Sequence, residues 1–258
     1  MTRLYFPGEI ADHGECHVVA GQAHHVLHVL RLQVGAELTL FDGRGFECPA
    51  VIRRIDRSGL TLGVSARRAV SRESPLAVTL AQGISSGERM DYTVQKCVEL
   101  GISAIQPLIT QRSVVRLNAE RAAKRVAHWQ SVAAAACEQC GRNLLPQVLP
   151  VQPLMHWLGT PAHGARFWLS PTGGMPLREL KQPGGVVTLL VGPEGGWNEA
   201  ETAAAKAAGF APLTLGPRIL RTETAAVAAL AAMQALWGDF LAAVPKTTST
   251  ALVGEFSA

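Results

Sequence analysis

Over its first 72 residues the chain alternates apolar and polar positions in short runs, at 16–19, 37–41, 48–55 and 60–66. Turn signals such as Asp42-Gly43-Arg44-Gly45 and Ser58-Gly59 separate these runs, which predicts a small β-barrel of short strands. Only 24–32 reads as helical in this stretch. The segment 67–75 is polar and ends in Pro75, as a linker would. The rhythm then changes to strand (76–82), helix (about 88–100) and strand (near 104–108), the opening of a βαβ unit. Ser85 and Glu88 have capping-box spacing before that helix, and Gly101 stands at its end. The expected architecture is α/β: a β-barrel over 1–72, an α/β domain with a parallel sheet over 73–245, and a disordered Thr/Ser-rich tail over 246–258.

Two segments near the end of the α/β part carry the strongest local signals. Residues 186–191 form a continuous apolar run, as in a strand covered on both faces. Gly192-Pro193-Glu194-Gly195-Gly196 follows, and then Asn198 and Glu201 at capping-box spacing for a helix that stops near Gly209. A second short strand at 212–215 leads into Gly216-Pro217-Arg218-Ile219-Leu220-Arg221, with Thr222 or Thr224 as cap of an Ala-rich helix reaching about Val244. Two such loops at the carboxyl edge of a parallel sheet form a ligand site in open α/β folds. Neither has the glycine spacing of a P-loop or of a dinucleotide fingerprint, which argues against a P-loop kinase or a Rossmann enzyme.

Composition changes this picture little. The 258 residues are 48% apolar, enough for sizeable cores, and the first residues lack the basic-then-apolar layout of a secretory signal. The Ala-rich C-terminal stretch is interrupted by Gln234, Gly238 and Asp239 and reads as a buried or dimer-packing helix, so no membrane partner is expected. Five scattered cysteines point to a reducing cytoplasm, and Cys137 and Cys140 to a helix face rather than a redox or zinc pair. His24 and His28 have helical i, i+4 spacing, but without a nearby acid or thiol they read as RNA-facing or solvated, and no metal is expected. The five tryptophans read as packing residues.

Net charge is +4, and its distribution is more informative than its size. Arg112, Arg116, Arg121, Lys124, Arg125 and Arg142 face only two glutamates between 111 and 142, a density that fits either a phosphate-facing surface or a solvated helix.

Gly192-Pro193-Glu194-Gly195-Gly196-Trp197-Asn198, with Glu201, followed by Leu215-Gly216-Pro217-Arg218-Ile219-Leu220-Arg221-Thr222-Glu223-Thr224-Ala225, resembles the signature of the RsmE family of 16S rRNA (uracil-N3)-methyltransferases, in the SPOUT class. The resemblance extends to 89–101, to Glu138-Gln139-Cys140-Gly141-Arg142 and to 24–31. It implies a PUA-like barrel, a SPOUT domain with a C-terminal trefoil knot, a homodimer, S-adenosylmethionine as methyl donor and 16S rRNA, within the small ribosomal subunit, as substrate. The resemblance assigns Leu190, Gly192, Glu194, Gly195, Gly196, Leu215, Gly216, Leu220 and Thr222 to the cofactor.

Methylating a uracil N3 requires loss of an imide proton, and an arginine beside the carbonyls would stabilise the charge that develops. Arg221 is the candidate, with Arg218 as second choice. Glu223 could take the proton or serve as a structural partner, and Glu194 raises the same alternatives. Arg3, His25, Arg31, Arg89, Arg112, Glu138, Gln139 and Arg142 are the candidate RNA contacts, with Arg53 and Arg54 as further candidates for phosphate. The rival readings are a SPOUT enzyme acting on another RNA, or an RNA-binding assembly factor without transfer activity.

Overall fold

A computed structural model describes residues 2–24, 26–27, 30–113, 117–161 and 163–241, with the side chains of Gln22 and His24 left aside. The first part is a sheet of order β1-β3-β4-β5-β2, from β1 (Arg3–Tyr5), β2 (Gly14–Val19), β3 (Glu37–Phe41), β4 (Phe46–Asp56) and β5 (Gly59–Val64). A short β6 (Arg68–Ala69) pairs with β4, and α1 (Ala20–His24) follows β2. Alternation places Leu38, Leu40, Ile52, Leu60 and Leu62 in one core. The helix expected at 24–32 starts earlier, as α1 at Ala20, and Val26 and Leu27 are also helical, while Arg31, in the left-handed region at φ 52°, cannot continue a helix. His25 and His28 lie outside the described residues.

The second part is an all-parallel sheet of order β10-β8-β7-β13-β11-β14-β12, with β9 beside β8. Its strands are β7 (Ala77–Gly83), β8 (Ala104–Ile109), β9 (Gln147–Val148), β10 (Gln152–Pro153), β11 (Ala165–Leu169), β12 (Met175–Pro176), β13 (Val186–Val191) and β14 (Ala211–Thr214). Helices α2 (Glu88–Glu99), α3 (Ala119–Cys140) and α6 (Thr222–Trp237) contribute Val94, Trp129 and Leu230 to the core on one face. On the other, α4 (Leu154–Leu158) and α5 (Glu199–Ala207) contribute Leu158 and Ala205. β13 is apolar except at Thr188 because it serves both cores, Leu189 and Val191 in one and Leu190 in the other.

Three expected boundaries change. The Ser85–Glu88 box does not form: Gly87 is the N-cap of α2, and the Ser85 hydroxyl is buried without a partner among the described residues. α6 begins with Arg221 as N-cap, because the Thr222 hydroxyl is engaged elsewhere, and it stops at Trp237 before Gly238. The tail from 246 lies outside the described residues. The Asn198–Glu201 capping box of α5 forms in full.

Buried charges join the two parts. Glu47 accepts hydrogen bonds from Arg3 (2.9 Å), Arg68 (2.9 Å), Arg72 (3.2 Å) and the Asn143 amide (3.0 Å). Arg3 also bonds Asn143 and stacks 4.9 Å from the Phe41 ring centroid, and Glu138 accepts the Tyr5 N–H. The segment 67–75, read as a linker, is thus held by Arg68, Arg72 and Glu73.

These bonds give three of the RNA candidates internal partners. Arg3 and Glu138 serve the junction. Arg142, only 5% exposed, pairs with Glu73 and donates to the carbonyls of Val98 and Ile102, satisfying groups where α2 ends. Gln139 remains exposed. Burial pushes the Cys137 thiol up to about 12 and raises Cys140, which keeps both protonated and fits a structural role.

Candidate active site

Three loops at the carboxyl ends of β13, β14 and β11 enclose a cleft of about 720 Å³, within the range of small-molecule sites. Gly192, Pro193, Glu194 and Gly196, Leu215, Gly216 and Arg218 to Arg221, and Ser170-Pro171 line it, with Trp168, Trp197 and Val191 as apolar walls. Gly216 has φ +86° with nothing within 4 Å of where a Cβ would stand, so the backbone is open to a ligand there. The third loop, absent from the sequence-based candidates, has a form like the other two, a largely apolar strand ending in Ser170-Pro171-Thr172-Gly173-Gly174, and that likeness is the signal that could have found it.

Buried polar groups hold the loops in place. The Thr222 hydroxyl donates to the Gly192 carbonyl at 2.6 Å and accepts from Gln82 Nε2 at 2.9 Å, tying the start of α6 to the end of β13. Gln82, fully buried and absent from the sequence-based candidates, occupies the centre of this node, and its Oε1 has no partner among the described residues. Trp197 Nε1 donates to the Leu169 carbonyl at 3.4 Å, and Glu201 accepts the Gln111 N–H at 2.8 Å.

Glu194 Oε1 accepts from the Ser86 N–H, the Ser86 hydroxyl and Arg89 at 2.8–3.0 Å. Burial alone would raise its pKa, but these bonds outweigh burial and hold the carboxyl below its usual range. Its carboxylate therefore fastens the 192–196 loop to the 84–87 loop.

Most candidate residues meet in this cleft: Gly192, Glu194, Gly196, Leu215, Gly216, Leu220, Thr222, Arg218, Arg221, Glu223, Arg89 and Arg112. Two cofactor candidates do not line it. Leu190 is fully buried because strand alternation turns it toward Trp168 and Ala205, away from the side of Val191. Gly195 backs onto Arg112, whose guanidinium donates to its carbonyl at 3.1 Å, and a Cβ on Gly195 would lie 2.8 Å from that of Arg112.

Arg89 and Arg112 are each held by one N–H, whereas the Arg218 and Arg221 side chains make no ion pair or hydrogen bond among the described residues. No group of acidic, His and Cys side chains among the described residues could hold a metal ion, and no helix is long and apolar enough to cross a membrane.

Gly83 offers a direct check on the loop geometry. A Cβ there would stand 2.6 Å from Pro193 Cδ and 2.7 Å from Pro193 N, so the 192–196 loop must shift to admit it. Gly83→Ala is expected to weaken ligand binding at least ~10-fold for a stability loss of about 1–3 kcal/mol, read by calorimetric titration and by urea denaturation. Unchanged affinity would show that the loop is not part of the binding site.

A cleft between Gly-rich loops at the carboxyl edge of a parallel sheet, with arginines round its mouth, defines an α/β enzyme domain that takes a small ligand beside an anionic one. Residues 72–234 match the RNA methyltransferase domain family and 20–65 the RNA methyltransferase PUA domain. The chain belongs to the RNA methyltransferase family, with a PUA-like N-terminal part.

Ribosomal RNA small subunit methyltransferase E from Neisseria gonorrhoeae, solved bound to S-adenosylmethionine, is 43% identical with a TM-score of 0.85, over 93% of this chain and 99% of that one. A Legionella pneumophila protein solved with the same cofactor is 40% identical with a TM-score of 0.89, over 92% and 98%. The protein of the same Neisseria name from Buchnera aphidicola (Schizaphis graminum) is 33% identical over 84% of this chain and 88% of its own.

Proposed function

We propose that this protein transfers a methyl group from S-adenosylmethionine to N3 of a uridine in 16S rRNA, giving 3-methyluridine. The observation that carries the reading is the three-loop cleft with the unpaired Arg218 and Arg221 at its mouth, in a chain whose relatives carry the name of a small-subunit rRNA methyltransferase. The residues fit such a ligand: Val191, Leu215, Leu220 and Trp197 can enclose an adenine ring, and the open backbone at Gly196 and Gly216 can meet its edges. When bound, S-adenosylmethionine supplies an already activated methyl on a sulfonium.

The chain's own task is then the nucleophile. Arg221, which lines the cleft as Arg218 does, would stabilise the negative charge that develops on the uracil carbonyl oxygens as the N3 proton leaves. Glu194 is committed to Ser86 and Arg89 and is a poor proton acceptor. Arg89, Arg112, Arg31 and Gln139, with His25 outside the described residues, complete the proposed RNA contacts. The finer architecture belongs to the same reading: a PUA-like barrel over 1–72, a SPOUT domain over 73–245 with a C-terminal trefoil knot, a homodimer, and work on the small ribosomal subunit in the cytoplasm.

Labelled methyl transfer to small subunits lacking their native base methylation, with nucleoside mass spectrometry of the product, tests the reading. The expected result is label in 3-methyluridine of 16S rRNA. Donor binding without transfer would move the substrate to another RNA, or mark an assembly factor; absence of donor binding would remove the cleft assignment.

A further inference from the structure

Two carboxylates line the cleft among the described residues, and they differ in a way that assigns a task to the second. Glu194 is engaged through Oε1, which accepts from Ser86 and Arg89. Glu223 makes no hydrogen bond or ion pair among the described residues, and its Oε2 is buried. Buried acceptors without a partner are few in folded proteins, and where one borders a ligand cleft the partner can arrive with the ligand. A position in the first turn of α6 is favourable for an acidic residue, but the helix dipole does not supply a partner for this oxygen.

The neighbouring cations do not neutralise it either. Arg221 stands two residues before Glu223, Arg218 lies in the same loop, and neither pairs with it. The cleft thus presents unpaired charge of both signs on one short stretch of chain, arginines free for an anion and a glutamate free for a cation.

We propose that Glu223 is the counter-charge for the sulfonium of the methyl donor, so that the cleft distinguishes the charged donor from its neutral product. This rests on the reading of the cleft as the S-adenosylmethionine site. The donor carries two cationic groups, its ammonium and its sulfonium. If Arg221 lies against the acceptor base, the sulfur that hands over the methyl lies near that base, and Glu223 lines the same cleft as Arg221. S-adenosylhomocysteine keeps the ammonium and loses the charge on sulfur, so comparing the two ligands isolates that contact.

The test is calorimetric titration of the wild-type protein and of Glu223→Gln, which keeps the shape and removes the charge, with both ligands. The wild type is expected to prefer S-adenosylmethionine, and E223Q to lower that preference about tenfold by weakening the donor alone. An unchanged preference, or equal weakening of both ligands, would overturn the proposal, the latter by placing Glu223 at a group the two share.

Should E223Q not fold, the wild type can be titrated with the analogue that bears an amine, cationic at neutral pH, in place of the S-methyl group. It is expected to bind about tenfold more tightly than S-adenosylhomocysteine, and equal affinity would overturn the proposal. Failure of the wild type to bind any of the three would overturn the site reading, and the proposal with it.

Discussion

Replacing Arg221 by alanine is expected to lower kcat by about 10²–10³-fold while leaving the affinity for S-adenosylmethionine within about twofold. Its guanidinium borders the cleft and makes no hydrogen bond or ion pair among the described residues, so the substitution removes no internal contact. Its role as N-cap of α6 uses backbone only, with no side-chain cap bond to lose. The thermal midpoint should therefore stay where it is. What is lost is a fixed positive group at the place where the uracil acquires negative charge, and an interaction made only as that charge forms appears in kcat rather than in ground-state binding. Single-turnover methylation and calorimetric titration separate the two quantities. Equal loss of turnover and cofactor affinity would make Arg221 part of the binding site instead.

Arg218→Ala gives the internal comparison. It lies in the same loop and is equally unpaired, so a loss confined to Arg221 would show that position, not summed charge, produces the effect.

How much of this arrangement was legible in the sequence depends on the range of the interaction concerned. The run from Val186 through Gly196 to Glu201 announces its strand, loop and helix because each signal is local: an apolar run, a Gly/Pro turn, and a cap whose partner is three residues away. Where a local signal competed with a distant partner, the distant partner prevailed. Thr222 is a good cap by composition, yet its hydroxyl serves Gly192, thirty residues back. Leu190 sits inside a cofactor motif, but the period of the strand decides that it packs against the far face.

The charged residues were hardest to place. Arg142 belongs to a basic stretch that reads equally well as an RNA surface, and only the fold brings Glu73, Val98 and Ile102 around it. Gln82 carries no sequence signal, because its importance comes from the meeting of three chain segments at the Gly192 carbonyl.

The same long-range logic makes Glu47 the most consequential residue outside the cleft. It is 1% exposed, and it collects Arg3, Arg68, Arg72 and Asn143 at the junction of the two parts. Glu47→Gln keeps the volume but leaves Arg3, itself largely buried, without its counter-charge, which is expected to cost about 3–5 kcal/mol. Burial by itself would raise the Glu47 pKa, but the bonds from Arg3, Arg72 and Asn143 outweigh it and bring the carboxyl from 4.5 to about 2.

A carboxyl whose folded pKa lies below its unfolded one stabilises the fold above the unfolded value. That contribution, about 3 kcal/mol, is lost as pH falls from about 4.5 through about 2. Urea denaturation at pH 7 and at pH 3 should then show a wide gap between wild type and E47Q at neutral pH and a narrower one in acid, because protonation removes from the wild type what the substitution has already removed. A gap of constant width would assign the loss to altered packing rather than to charge. A loss of rRNA methylation in E47Q with cofactor affinity intact would add that the junction keeps the N-terminal part in the position from which it presents RNA to the cleft.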